Sequence, residues 1–124
     1  MKTVFVFAFL VLIGLAAPAF AQTTNANLIG TYAVDGTETD GGKYEDGNEV
    51  VVTMDKSGAL ELKWNGGEYV GVGQVSGNQL FIGSVAEGKV ILLVMDIKGE
   101  GSLEGKWWRR TDAGTKGTEV WKKK

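Results

Sequence analysis

The sequence predicts an all-β domain, most simply an eight-stranded antiparallel up-and-down β-barrel. Three observations lead to this fold class. Glycine is frequent and proline is scarce, with 18 of the 19 glycines and no proline after residue 21. Few segments between the glycines are long enough for a helix, and polar and apolar side chains alternate with a period of two. Turn-forming residues recur every 8–12 residues, as they do between the short strands of sandwiches and barrels.

Eight segments have this strand pattern, and each is joined to the next by a short connection. Short connections make neighbouring strands antiparallel, because a parallel pair needs a crossover of about a dozen residues or more. Closing such a sheet into a barrel removes both of its edges. A two-sheet β-sandwich is the alternative, and the polar stretch 35–48 is the one connection long enough for it. The predicted strands are 28–34, 49–54, 59–64, 68–74, 79–85, 89–97, 102–110 and 118–121.

The turns between the early strands justify the first four. The first strand runs into the polar stretch, and the second ends at 55–58, a four-residue turn with glycine in its last position. The third alternates cleanly and places Leu62 and Trp64 on one face. Asn65-Gly66 then forms a strong hairpin signal, because both central residues of that turn require positive φ.

The last four strands follow the same logic. Ser76-Gly77-Asn78 and Glu87-Gly88 bracket the fifth strand, and the sixth is the most apolar run of the chain. In the seventh, alternation places Trp107 and Arg109 on the inner face and Trp108 on the outer one. A buried arginine needs a partner. Glu119 on the last strand is the expected partner if Trp121 also faces inward.

Residues 1–21 have the three parts of a secretory signal peptide: Lys2, an apolar run from Val4 to Ala16, and the small-x-small site Ala19-Phe20-Ala21. The predicted organisation is therefore a signal peptide over 1–21 and a single domain over 22–124. An uncleaved membrane anchor is the alternative, but Pro18 interrupts the helix and no basic cluster follows it. No cysteine follows the cleavage site, so a lipoprotein is excluded. We expect a secreted or periplasmic product.

Composition narrows the classes of function. Without Lys2, 12 basic residues face 15 acidic ones, a net charge of −3 spread along the chain, so no nucleic-acid partner is expected. The chain has no histidine and no cysteine, which removes the commonest general base and metal ligands. The predicted strands are too short, and the outer faces carrying Glu61, Lys63, Glu104 and Lys106 too charged, for insertion into a membrane. No enzymatic activity, catalytic residue, metal or cofactor is predicted.

A series of glycine and aromatic motifs also runs through the chain, and it resembles small secreted bacterial domains that are avidin-like or lipocalin-like, some of them labelled fibronectin-binding. The resemblance implies a β-barrel and a binding role. Two departures from the pattern fall at Tyr44-Glu45-Asp46-Gly47, which is one residue longer, and at Gly83-Ser84, where an aromatic residue is expected. A lipocalin-like floor would use Gly30-x-Tyr32 with Arg109 or Arg110. The motifs are Gly30-Thr31-Tyr32-x-Val34-x-Gly36, Gly42-x-Tyr44, Leu62-x-Trp64, Tyr69-x-Gly71-x-Gly73, Asn78-x-Leu80, Gly101-x-Leu103-x-Gly105-x-Trp107 and Gly117-Thr118-Glu119.

The leading functional hypothesis is an exported, non-enzymatic binding module that takes a small apolar or aromatic ligand, or an extracellular protein, through the barrel mouth and loops. The alternative is a surface interaction, adhesion or structural protein without a ligand cavity, with Trp108 on its surface. An eight-stranded barrel can be filled by its own side chains or can hold one small ligand, and the sequence leaves both open. The candidate ligand-binding residues are Tyr32, Tyr44, Trp64, Tyr69, Trp107, Arg109 and Glu119.

Overall fold

The computed structural model describes residues 22–99, 101–110 and 114–124. The predicted signal peptide lies outside these residues. Within them, eight antiparallel strands close into a barrel in which each strand pairs with its neighbours in sequence and β1 pairs with β8. The barrel prediction is confirmed, and the sandwich alternative is not formed. A short 3₁₀ helix precedes the strands. The elements are the 3₁₀ helix Asn25–Leu28, β1 Gly30–Thr37, β2 Asn48–Met54, β3 Leu60–Trp64, β4 Tyr69–Ser76, β5 Gln79–Ala86, β6 Lys89–Lys98, β7 Ser102–Arg109 and β8 Gly117–Lys123.

Strand boundaries differ most from expectation at the first strand. Residue 28 belongs to the 3₁₀ helix, so β1 begins at Gly30, and it continues through Thr37 into the stretch predicted to be a polar connection. The hairpin at Asn65-Gly66 forms as predicted, with φ values of 50° and 74° at its two central residues. The Asn65 side chain also joins this turn to the neighbouring strand β2, because Asn65 Oδ1 accepts a hydrogen bond from the Glu49 amide at 3.0 Å.

The 3₁₀ helix closes one end of the barrel. Leu28 is buried there, and its carbonyl oxygen accepts a 2.8 Å hydrogen bond from the Tyr32 hydroxyl. The Asn25 side chain ties the helix to two other strand ends: its Nδ2 donates to the Gly58 carbonyl at 2.8 Å, and its Oδ1 accepts from the Val75 amide at 2.9 Å. We call this the closed end. The other end, where β1 leads to β2, β3 to β4, β5 to β6 and β7 to β8, is the mouth.

Inward-facing side chains fill the half of the barrel nearest the closed end. Alternation along each strand directs every second residue to the interior, and most of these residues are apolar. Closure of the sheet into a barrel removes them from water. Two rings pack against each other in this core in a tilted arrangement, with the Tyr32 and Trp121 centroids 5.7 Å apart and the ring planes at 49°. The side chains below 2 % exposure are Trp121, Tyr32, Leu60, Leu62, Leu80, Met95, Leu103, Val50 and Val52.

The outer surface has two distinct sides. The outer residues of β3 and β7 are charged as predicted, and Lys63 and Glu61 form a salt bridge of 3.2 Å. Across β4, β5 and β6 the outer residues are instead apolar and exposed, which the sequence analysis did not single out. We call this set the β4–β6 outer face; its members are Val70, Val72, Phe81, Val85, Val90 and Leu92. No helix among the described residues has the length and apolar character needed to cross a membrane.

Candidate functional site

A cavity of about 710 Å³ occupies the mouth half of the barrel. This volume lies within the range of about 300–1,000 Å³ that is usual for small-molecule sites. The cavity is open at the mouth and ends below at the filled core. Its wall is formed by inward residues of most strands and by side chains of the loops around the mouth. The side chains in this wall include Glu38, Tyr44, Trp64, Tyr69, Ile82, Ser84, Trp107, Arg109 and Glu119.

The cavity exists because small residues take inward positions near the mouth. On β5 the inward row runs from Leu80 through Ile82 to Ser84 and Ala86, so side-chain volume decreases toward the mouth. On β4 the inward residue Gly71 has no side chain, and a Cβ there would lie 3.2 Å from the ring of Trp64. The indole of Trp64 therefore packs across β4, and the space above it stays open.

Glu119 lies on the inner wall of the cavity with its side chain buried, 8 % of the residue being exposed. Its Oε2 accepts a 2.7 Å hydrogen bond from the Trp121 Nε1, and its Oε1 accepts a longer one, 3.3 Å, from the Tyr44 hydroxyl. The Trp64 indole N–H is also buried and meets no acceptor at hydrogen-bonding geometry among the described residues. Glu119 thus sits among aromatic groups that offer it N–H and O–H donors.

Two glycines make room for this carboxyl group. Glu119 pairs with Gly36 on β1 and with Gly105 on β7, so neither neighbouring strand places a side chain beside it. A Cβ at Gly36 would lie 2.6 Å from the Tyr44 ring. The ring of Tyr44 therefore occupies the space over β1 that a side chain would fill. This packing brings a residue of the long β1–β2 connection to the carboxylate.

Burial raises the pKa of Glu119 from 4.5 to about 7, because the charged form is separated from water. Hydrogen bonds from Trp121 and Tyr44 and the nearby Trp64 indole oppose this rise, and the negative charge of Glu38 adds to it. Burial also raises the pKa of Tyr44, and the charge of Glu119 raises it further. Tyr44 therefore remains a neutral hydrogen-bond donor, while Glu119 gains or loses a proton near neutral pH.

Aromatic rings form much of the remaining wall. Trp107 lies on β7, and its Nε1 donates a 3.1 Å hydrogen bond to the Thr37 carbonyl, which fixes the ring against β1. The Arg109 guanidinium lies 5.6 Å from the centroid of this ring and donates a 3.3 Å hydrogen bond to Thr39 Oγ1. Arg109 is thereby held at the rim by the β1–β2 connection and by Trp107.

Six of the seven candidate residues from the sequence line this one cavity: Tyr44, Trp64, Tyr69, Trp107, Arg109 and Glu119. The seventh, Tyr32, does not. It lies in the filled core toward the closed end, 1 % exposed, and its hydroxyl is used by the Leu28 carbonyl. Strand alternation predicts the inward orientation of Trp107 and Arg109, whereas Tyr44 belongs to the β1–β2 connection, to which alternation does not apply.

Two expected arrangements around Arg109 do not form. Trp121 faces inward, as the expected ion pair requires, but Glu119 accepts hydrogen bonds from Trp121 and Tyr44 in place of pairing with Arg109. The lipocalin-like floor also fails, because Tyr32 lies toward the closed end and Arg109 at the mouth. Arg109 is the last residue of β7 and therefore lies at the mouth, at the opposite end of the barrel from the floor. Glu119 is in register with Gly105, so Arg109 lies four residues farther along β7.

Other wall residues were missed by the sequence analysis. Ile82 and Ser84 share the inward row of β5, and Leu93 lies on the inward row of β6. Alternation in the fifth strand predicts the inward orientation of Ile82 and Ser84, but the candidate ligand-binding residues were all aromatic or charged. Glu38 belongs to the β1–β2 connection, and no periodic pattern could place it near Glu119.

The described residues include no group of three or more acidic side chains arranged to hold a metal ion. Comparison of the chain with models of known protein families gives no match, and curated protein sequences give none either. Fold and site together define the chain as a β-barrel that is covered at one end, open at the other, and holds a cavity of the size usual for small-molecule sites. The avidin-like or lipocalin-like resemblance stays a prediction.

Proposed function

We propose that this protein is a non-enzymatic binding module that holds a small organic molecule in the mouth cavity of its barrel. The observation that carries the proposal is the cavity of about 710 Å³ whose wall combines aromatic rings with one buried carboxyl group. Small-molecule sites typically combine apolar walls with a few convergent polar groups that orient the ligand.

A fragment screen monitored by amide chemical shifts tests this proposal. Aromatic fragments are expected to shift the amides of wall residues on β3, β5 and β7. The variant Ala86→Trp places a large side chain into the mouth and is expected to abolish those shifts. Val85→Trp is the matched control, because the neighbouring residue Val85 is 65 % exposed on the outer side of the same strand. Shifts that map to the outer surface, or that persist in Ala86→Trp, would contradict the proposal.

The alternative role as a surface-interaction protein depends on the exterior. Trp108 is half-buried there, with the Lys116 ammonium 5.3 Å from its ring centroid, and it lies in register with Leu92 of the β4–β6 outer face. Trp108 therefore borders the exposed apolar residues of the β4–β6 outer face, and the surface-interaction hypothesis rests on this surface. A capture assay with extracellular proteins, using Trp108→Ala against wild type, tests it. Equal capture by both proteins would remove Trp108 from the hypothesis.

A further inference from the structure

We infer that the mouth cavity selects ligands that carry a positively charged nitrogen, such as an arylalkylamine, and that the Glu119 carboxylate is the group that recognises it. The inference rests on the proposed function and adds the chemical class of the ligand. It depends on the position of Glu119, on the rings around it and on the charges at the mouth.

The first step concerns the partners of Glu119. Its contacts are hydrogen bonds from a neutral indole and a neutral phenol. In the described part of the chain the salt bridges to glutamate are those of Lys63 with Glu61 and Lys124 with Glu49. A buried carboxylate without a cation close to it is costly, and a positive ligand group removes that cost. The cavity wall is therefore more favourable for a cation than for a neutral or anionic group.

The second step concerns the rings. Trp64 and Trp107 are each 8 % exposed and border the same cavity as Glu119, and Tyr44 and Tyr69 join them. Indole and phenol faces attract organic cations, most strongly where water is excluded. The site already shows this chemistry once, since Arg109 lies over the Trp107 ring. A ligand with an aromatic group and an amine satisfies both the apolar walls and the carboxylate.

The third step concerns the charges around the mouth. The described wall residues include five glutamates and only two basic side chains. One of the basic side chains, Arg109, is engaged by Thr39 and Trp107. The resulting negative field concentrates cations at the opening and disfavours anions. The five glutamates are Glu38, Glu45, Glu68, Glu87 and Glu119.

The experiment compares three test ligands with the same phenyl ring and similar length: the cation 2-phenylethylamine, the neutral 2-phenylethanol and the anion phenylacetate. Titrations are followed by calorimetry and amide chemical shifts at about pH 8, where Glu119 is mostly ionised. The cation is expected to bind wild type at least about tenfold more tightly than the alcohol, and the anion most weakly. This comparison requires no mutation.

Glu119→Gln is then expected to weaken 2-phenylethylamine by about tenfold or more and to leave 2-phenylethanol within about twofold. Glu104→Gln, which removes one charge from the outer side of β7, is the matched control and is expected to change neither affinity. Equal or tighter binding of the alcohol to wild type overturns the inference, as does an unchanged amine affinity in Glu119→Gln. Failure of all three test ligands also overturns it, and the fragment screen then shows separately whether the cavity binds organic molecules at all.

Discussion

Replacing Glu119 by glutamine is expected to make the folded protein more stable at neutral and alkaline pH. The carboxyl group is buried, and its pKa rises from 4.5 to about 7 in the folded state. The folded protein therefore holds a proton that the unfolded chain releases between these values. Because the folded state binds more protons, its stability falls as pH rises through that window, and the loss is complete above about pH 7.

The magnitude follows from the same two values. Each pH unit by which the pKa differs between the two states corresponds to about 1.4 kcal/mol. A rise from 4.5 to about 7 then gives a cost of about 3 kcal/mol for keeping Glu119 ionised in the fold. Glutamine has no proton to lose, and its amide oxygen can still accept the hydrogen bond from Trp121. At about pH 4 the two proteins should be closer in stability, since the wild-type carboxyl is neutral there.

Urea unfolding at a series of pH values, followed by far-ultraviolet circular dichroism, measures this difference. The quantity of interest is the free energy of unfolding of Glu119→Gln minus that of wild type, since the other titrating groups are common to both proteins. It should grow by up to about 3 kcal/mol between about pH 4 and pH 8. Glu104→Gln, changed on the outer surface, is the control. A difference that stays constant across this range would refute the burial argument for Glu119.

Three further predictions concern the frame around the cavity. Leu62→Ala should lower the free energy of unfolding by about 2–5 kcal/mol in urea titrations, because the side chain is fully buried in the filled half; a loss below about 1 kcal/mol would contradict that packing. Gly105→Ala should destabilise far more than Gly83→Ala in the same assay. A Cβ at 105 meets the Val94 carbonyl oxygen, whereas a Cβ at 83 meets nothing within 4 Å, and equal effects would contradict the contact geometry. Asn25→Ala should cost about 1–3 kcal/mol by thermal unfolding and speed amide exchange at the closed end, and unchanged exchange would show that this side chain does not hold the helix in place.

Strand alternation and turn chemistry were sufficient to predict the barrel and the inward orientation of some of the residues in its cavity wall. Trp107 follows from counting along β7, and Asn65-Gly66 follows from the φ values that its turn demands, whereas alternation along β8 left the orientation of Glu119 open. The partner of Glu119 could not be predicted this way. It depends on the conformation of the β1–β2 connection, which brings Tyr44 over Gly36, and no local pattern specifies such a contact.

The depth of the cavity could not be predicted from the sequence either. Whether a barrel is filled or hollow depends on the summed volumes of inward side chains at each level, and on what covers each end. Tyr32 illustrates the difficulty: it has the same inward orientation as the wall residues, but it lies at a level where large neighbours leave no space. Only the three-dimensional level of each residue along the barrel axis separates core from wall.

Both described ends of the chain leave the barrel on the side away from the mouth. The 3₁₀ helix that precedes β1 lies at the closed end, and the Lys124 amide donates a 2.9 Å hydrogen bond to the Thr31 carbonyl near the start of β1. A tether or fusion partner attached to the C-terminal lysines would therefore hold the opening toward solution. Immobilisation through that end should preserve full ligand capacity, whereas coupling through Lys43, which borders the mouth, should obstruct entry.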